Sequence, residues 1–174
     1  MKLKIKVKVL TAGCEPVISD NGDWIDLRAA EDTIMGCPFA VARTRKGGES
    51  SRKVVFTHTY VPLGVAIQLP AGLEGAIAPR SSSIKNFHFI QPNSPAVMDQ
   101  SYCGDTDQWH ASVLSVGDVD IKKGDRICQF RVQLSQKATF WQKLKWLLSN
   151  GIKIEIVETL GNPDRKGLGS SGVK

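Results

Sequence analysis

The sequence predicts an all-β fold, a barrel or a sandwich, with one helix near its C-terminal end. Three observations carry this. Short apolar segments recur at regular spacing along the 174 residues. Clusters of Gly, Pro, Asn and Asp separate them, as turns separate strands in all-β domains. Helical periodicity appears once. The length also sets a single domain with a sizeable core.

The first element is the plainest. Lys2, Lys4, Lys6 and Lys8 alternate with Leu3, Ile5, Val7 and Val9, a period-two strand with one apolar and one solvated face. Lysines so placed guard a sheet edge against aggregation. They supply much of the net charge of +6. Few aromatics interleave with the basic residues, and no helix-turn-helix or RNP-like string occurs, so a solvated face is preferred to a nucleic-acid surface. A polyanionic small substrate also suits this charge.

A turn-rich segment, Glu15-Pro16 with residues 19–23, precedes a short strand over Trp24–Ala30 that carries Asp26 at its middle. Residues 43–53 are polar and read as a mobile hairpin tip rather than a linker. Val54–Phe56, Tyr60–Leu69 and Gly75–Ala78 read as strands, with a turn over residues 70–75. Trp109–Val116, Ile127–Leu134 and Ile152–Val157 complete the set. Thr139 and Gln142 form a capping-box pattern before Phe140, Leu144, Leu147 and Leu148, which share one helical face and predict burial against the barrel. Asn150-Gly151 stops that helix.

Cys14, Cys37, Cys103 and Cys128 are scattered without a C-x-x-C pair, so neither a zinc site nor a disulfide framework is indicated. A reducing compartment, the cytoplasm, is expected. No apolar run reaches the length of a membrane span, and the Lys-rich start lacks the apolar core of a signal peptide.

The chemistry is expected in short polar clusters. Ala96-Val97-Met98 delivers a carboxylate at Asp99, followed by the aromatic hydroxyl of Tyr102 and the turn glycine Gly104. A hairpin here sets an acid and a ring in one half-buried pocket. Pro79-Arg80-Ser81-Ser82-Ser83 combines a guanidinium fork with hydroxyls, donors matched to phosphate oxygens. In Gly124-Asp125-Arg126-Ile127-Cys128-Gln129 the first acid and arginine read as a pair fixing the turn, and Gln129 as a polar group facing a pocket. The tail from Arg165 to Gly172 contains G-x-G-x-x-G. Two residues remain after it, so no dinucleotide fold can follow. It reads as a basic Gly/Ser segment whose backbone N–H groups can wrap phosphates.

Together these clusters resemble the trimeric all-β dUTPases, with five motifs in that family's order over nearly the whole chain. Trp24–Ala30 is similar to the first motif, Pro79–Ser82 to the second, Ala96–Gly104 to the third, Gly124–Gln129 to the fourth and Arg165–Gly172 to the fifth. The resemblance implies a distorted jelly-roll-like β-barrel over residues 1–160, a flexible tail over 161–174 that closes on the site, and a homotrimer with active sites at subunit interfaces. It implies Mg²⁺-assisted hydrolysis of dUTP to dUMP and pyrophosphate. Asp99 is then the base that activates water, and Arg80, Ser81, Ser82 and Gln129 hold phosphates. Tyr102 lies under the deoxyribose. Asn93, with backbone of Ala96 to Met98, bonds uracil. Asp26 meets the metal through water. Arg165, with Lys166, Leu168, Gly169 and Ser170, closes over the substrate.

Some positions depart from the pattern. Leu168 replaces the tail aromatic that stacks on uracil, Lys166 replaces a tail glycine, and Asp23 and Ala96 stand where glycines are usual. Two rival readings are a dCTP deaminase of the same fold and a catalytically weak deoxynucleotide-binding regulator. The deaminase requires a proton-relaying Glu at the pyrimidine pocket, and Glu74, Glu155 and Glu158 are poorly placed for it. Intact Asp99, Arg80 and Gln129 disfavour the regulator.

Overall fold

The computed structural model describes residues 1–19, 22–44 and 50–165. The chain begins with β1 (Leu3–Val9), β2 (Val17–Ile18), β3 (Ile25–Arg28), β4 (Thr33–Met35), β5 (Phe39–Thr44), β6 (Ser50–Val55), β7 (His58–Gln68) and β8 (Leu73–Pro79). Helix α1 (Ser83–Phe87) leads to β9 (Phe89–Ile90), β10 (Ala96–Met98), β11 (Gln108–Ser115), β12 (Val119–Ile121) and β13 (Arg126–Leu134). Helix α2 (Phe140–Leu147) and β14 (Ile152–Ile156) follow.

Two five-stranded sheets form the body, in the orders β14-β1-β7-β11-β9 and β10-β8-β13-β3-β2. The period-two pattern of β1 is realised: Leu3, Ile5 and Val7 are buried while Lys4 and Lys6 face solvent. This strand is not an edge, however, because β14 pairs with it in parallel on one side and β7 antiparallel on the other. Between the sheets, Trp109 of β11 meets Phe130 of β13 edge to face, with centroids 5.1 Å apart, and both rings are buried. Gly75 on β8 makes room for that indole, since a Cβ there would stand 2.9 Å from its ring.

The architecture is thus the expected all-β one, but the sheets stay open instead of closing into a barrel. Three of the four end strands, β2, β9 and β10, are only two or three residues long. They are too short to carry a ladder across to the facing sheet. Two further ribbons, β12-β4 and β5-β6, stand apart. The second is the hairpin expected around residues 43–53; its tip, 45–49, lies outside the described residues.

Helix α2 starts where the capping box placed it. Gln142 N–H donates to Thr139 Oγ1, and Thr139 N–H donates to Gln142 Oε1 at 2.8 Å. Its apolar face is not buried as expected: Phe140, Trp141 and Leu147 are each 70–77% exposed. Only Trp146 of this helix packs against the core. The unexpected α1 grows out of the Ser-rich turn and ends at His88, whose φ of 53° is left-handed. Among the described residues no helix is long and apolar enough to cross a membrane.

Candidate active site

The site residues fall into two groups at opposite ends of β8. The first group surrounds Asp26, which the β3–β13 register sets opposite Gln129. Asp26 is buried, and its two oxygens take different arginines: Arg80 Nε lies 2.9 Å from Oδ1 and Arg126 Nη1 lies 3.0 Å from Oδ2. A buried carboxylate needs such partners, and two cations on one acid leave net positive charge facing solvent. Arg126 was expected to pair with Asp125. Instead Asp125 accepts the Lys122 N–H and holds its own turn, while the β-bulge between Arg126 and Cys128 brings Arg126 onto the sheet face that Asp26 shares. Beneath this group the Cys128 thiol is fully buried, and desolvation followed by the charge of Asp26 pushes its pKa far up, so it stays protonated.

Ser83 organises the turn that carries Arg80. It is buried; its hydroxyl donates to Ile127 C=O at 2.8 Å and accepts the Arg80 N–H at 3.1 Å. The sequence marked Ser81 and Ser82 here. Ser81 is exposed and half-buried Ser82 stands at the N-cap of α1 without a side-chain capping bond, so both hydroxyls are free to meet a ligand while Ser83 is fixed inside.

The second group lies around β10, which pairs antiparallel with β8. Ala96 and Met98 are buried, Val97 points outward, and Asn93 is exposed in the preceding turn, which contains the cis Ser94-Pro95 bond. Asp99 follows directly. Its side chain is 62% exposed, more open than the half-buried pocket expected. It stands at a cleft of about 840 Å³ that Glu74, Ser101, Cys103, Lys137 and Arg165 also line. Arg165 Nη1 lies 3.2 Å from Asp99 Oδ2 and 2.8 Å from Ser101 Oγ. Tyr102 is half-buried and donates its hydroxyl to Gln108 C=O at 2.9 Å. Burial first, and then the nearby Asp107 charge, raise the phenol pKa, so it remains a neutral donor.

The register fixes how far apart the groups stand. Met98 pairs with Gly75, so Asp99 sits level with Glu74, six residues before Arg80. At roughly 3.3 Å per residue this is about 20 Å along one strand. Within one chain, Asp99 and the Arg80–Gln129 group do not converge. The remaining tail positions, Lys166, Leu168, Gly169 and Ser170, lie outside the described residues.

Among the described residues no group of three or more His, Cys, Asp or Glu forms a metal cage. Asp26 nevertheless keeps lone pairs, because each oxygen spends one on an arginine and carries two. A contact to a hydrated cation through water therefore fits. A closed protein cage is not needed for Mg²⁺, which keeps several waters and favours phosphate oxygens.

An open carboxylate at a wide cleft, and two arginines gathered on one buried acid, suit an all-β scaffold to anionic, phosphate-bearing ligands. Residues 51–145 match the family model described as dUTPase. The chain is 40% identical over 173 residues, 99% of its own length and 100% of the relative's, to the SPbeta prophage-derived deoxyuridine 5'-triphosphate nucleotidohydrolase YosS of Bacillus subtilis (strain 168). It belongs to the dUTPase family. Solved structures agree on the fold. A dUTPase from Streptococcus mutans superposes with a TM-score of 0.59 at 18% identity, covering 74% of this chain and 94% of that one. A mutant dUTPase from phage phi11 of S. aureus, described for its coordination of a structural Mg(II) ion, also gives 0.59, at 14% identity over 78% of this chain and 94% of that one.

Proposed function

We propose that this member of the dUTPase family hydrolyses dUTP to dUMP and pyrophosphate, working as a homotrimer with sites at its subunit interfaces. The observation that carries the reading is Asp99, an open carboxylate at the mouth of a cleft shared with Arg165. In the proposed reaction Asp99 takes a proton from a water whose oxygen attacks the α-phosphorus in line. The bond from that phosphorus to the bridging oxygen breaks, and pyrophosphate leaves with the electron pair. Positioned general bases contribute roughly 10²–10⁴-fold.

Arg80, Ser81, Ser82 and Gln129 supply donors to the non-bridging oxygens, where charge builds in the transition state. Arg80 is held for this by Asp26 and by the Ser83 turn. Asp26 would hold Mg²⁺ through water, and the ion would supply further neutralisation of those oxygens. Tyr102 packs under the deoxyribose, and Asn93 with the β10 backbone bonds uracil. Arg165 and the tail residues Lys166, Leu168, Gly169 and Ser170 close the site over the γ-phosphate and base, with 161–174 acting as a tail on a domain of 1–160.

The separation of about 20 Å between Asp99 and Arg80 supports assembly, since one substrate then needs the acid of one chain and the phosphate donors of another. Free thiols at Cys14, Cys37, Cys103 and Cys128 support a cytoplasmic setting. The decisive experiment measures pyrophosphate release from dUTP, dCTP, dTTP and UTP with Mg²⁺, for wild type and Asp99→Asn. Turnover selective for dUTP that falls at least about 100-fold in the variant is expected. Ammonia release from dCTP would establish the deaminase reading instead, and binding without turnover would establish the regulator.

A further inference from the structure

Three acids beside the cleft have no role in the reaction described above: Asp105, Asp107 and Asp164. All three join the 103–107 turn to residues 159–165. Asp107 is 2% exposed, and the Arg165 N–H donates to both of its oxygens at 3.0 Å. The Gly104 N–H donates to Asp107 Oδ2 at 2.8 Å. Asp105 accepts the Thr159 hydroxyl and the Leu160 N–H, each at 2.6 Å, and Lys8 Nζ stands 3.5 Å away. Asp164 Oδ1 accepts the Thr106 N–H at 2.7 Å, and Asn162 Nδ2 donates to Cys103 C=O at 3.3 Å. Gly104 completes the fit, because a Cβ there would overlap the backbone of Asp164.

We propose that Asp107, seconded by Asp105, is a positioning residue that clamps the root of the tail and so delivers the Arg165 guanidinium into the Asp99 cleft. The inference rests on the dUTP hydrolysis proposed above and adds to it the residues that set the tail's starting point. The chemistry favours a carboxylate. Two N–H groups converge on Asp107 Oδ2 and one of them, that of Arg165, also meets Oδ1, whereas an amide of the same shape sets an NH₂ against the Arg165 N–H and loses the charge that strengthens both bonds. Fixing a backbone costs conformational entropy. The clamp meets that cost for residues 159–165 on folding, so substrate binding need not order them. Arg165 backbone and side chain then lie in one arrangement, with the guanidinium on Asp99 and Ser101.

The test is a double-mutant cycle in the full-length chain between Asp107→Asn and Arg165→Ala, read as kcat/KM for dUTP. With Arg165 present, Asp107→Asn lowers kcat/KM by roughly 10–100-fold, as expected for a lost charged hydrogen bond. In the Arg165→Ala background it costs less than about 2-fold more, because the two residues act as a unit. Asp164→Ala, at an exposed position, gives a smaller loss with the same dependence on Arg165 and guards against misfolding of the first variant. Full activity in both variants, or equal losses with and without Arg165, would overturn the proposal. Amide exchange at Arg165 reads the clamp without turnover: it is slow in the substrate-free wild type and at least about tenfold faster in Asp107→Asn. Slow exchange alongside failure to hydrolyse dUTP would sink the reaction and leave the clamp standing. Fast exchange in the wild type would sink the clamp.

Discussion

Replacing Asp26 with Asn tests the centre of the Arg80–Arg126 group. The carboxylate lies 2.9 Å from Arg80 Nε and 3.0 Å from Arg126 Nη1, with 6% of its side chain exposed. At an effective dielectric of about 20, a unit pair near 4 Å is worth about 4 kcal/mol gross. The arginines are 28% and 42% exposed, so solvent screens part of this. Removing one partner of a buried pair costs about 3–5 kcal/mol, and the lower end applies here. The variant leaves two guanidinium groups facing a neutral amide, and about 3 kcal/mol of stability is lost. For a chain of this size that lowers Tm by about 6–12 °C. Arg80 also loses its anchor, so KM for dUTP rises. The assay is a thermal melt followed by circular dichroism, with kinetics on the same preparations. A Tm within about 2 °C of wild type would refute the view that Asp26 holds the two arginines.

Other expectations are simpler. Phe130→Ala removes a fully buried ring from its edge-to-face contact with Trp109 and costs about 3–5 kcal/mol in urea unfolding. Ser83→Ala deletes the donor to Ile127 and the acceptor for Arg80, costing about 1–3 kcal/mol and weakening triphosphate binding in a titration with a non-hydrolysable analogue. Burial lowers the pKa of His110 from its ordinary 6.5, so the unfolded chain binds the proton more readily than the folded one. Its contribution is therefore intact above pH 6.5 and is lost as pH falls through the folded value. Urea midpoints should drop on acidification from about pH 7.5 to about pH 5, less steeply in His110→Gln.

How far the sequence could be read depended on the range of the interaction. The alternation of Lys and apolar residues in β1 and the Thr139–Gln142 capping box are local, and both stand as expected. The β1 neighbours were not legible, because β14 lies almost the whole chain away. The Asp26–Arg126 pair spans 100 residues and follows from the β3–β13 register, which no local pattern encodes. Helix α2 had the periodicity of a buried face. Periodicity reports that a face is apolar, not what covers it, and Phe140 and Trp141 are open in the single chain. The family motif pointed to Asp99 and Tyr102, whereas no motif or local pattern singled out Asp107. Its role becomes visible only when residue 165 lies beside it.

The parallel pairing of β1 with β14 has a consequence for how the protein is made. Lys4 lies beside Lys153, so the second strand of that sheet waits for the last one. At about 5–20 residues per second, a ribosome needs roughly 7–30 s to bridge those positions. During that interval β1 can pair with β7 but keeps its other flank unpaired, an edge whose solvent face carries the lysines that discourage contact with strangers. Completion of the sheet, and with it the docking of residues 159–165, is therefore an event after synthesis of nearly the whole chain. A nascent chain stalled before residue 152 would carry the Asp99 cleft without the arginine that lines it.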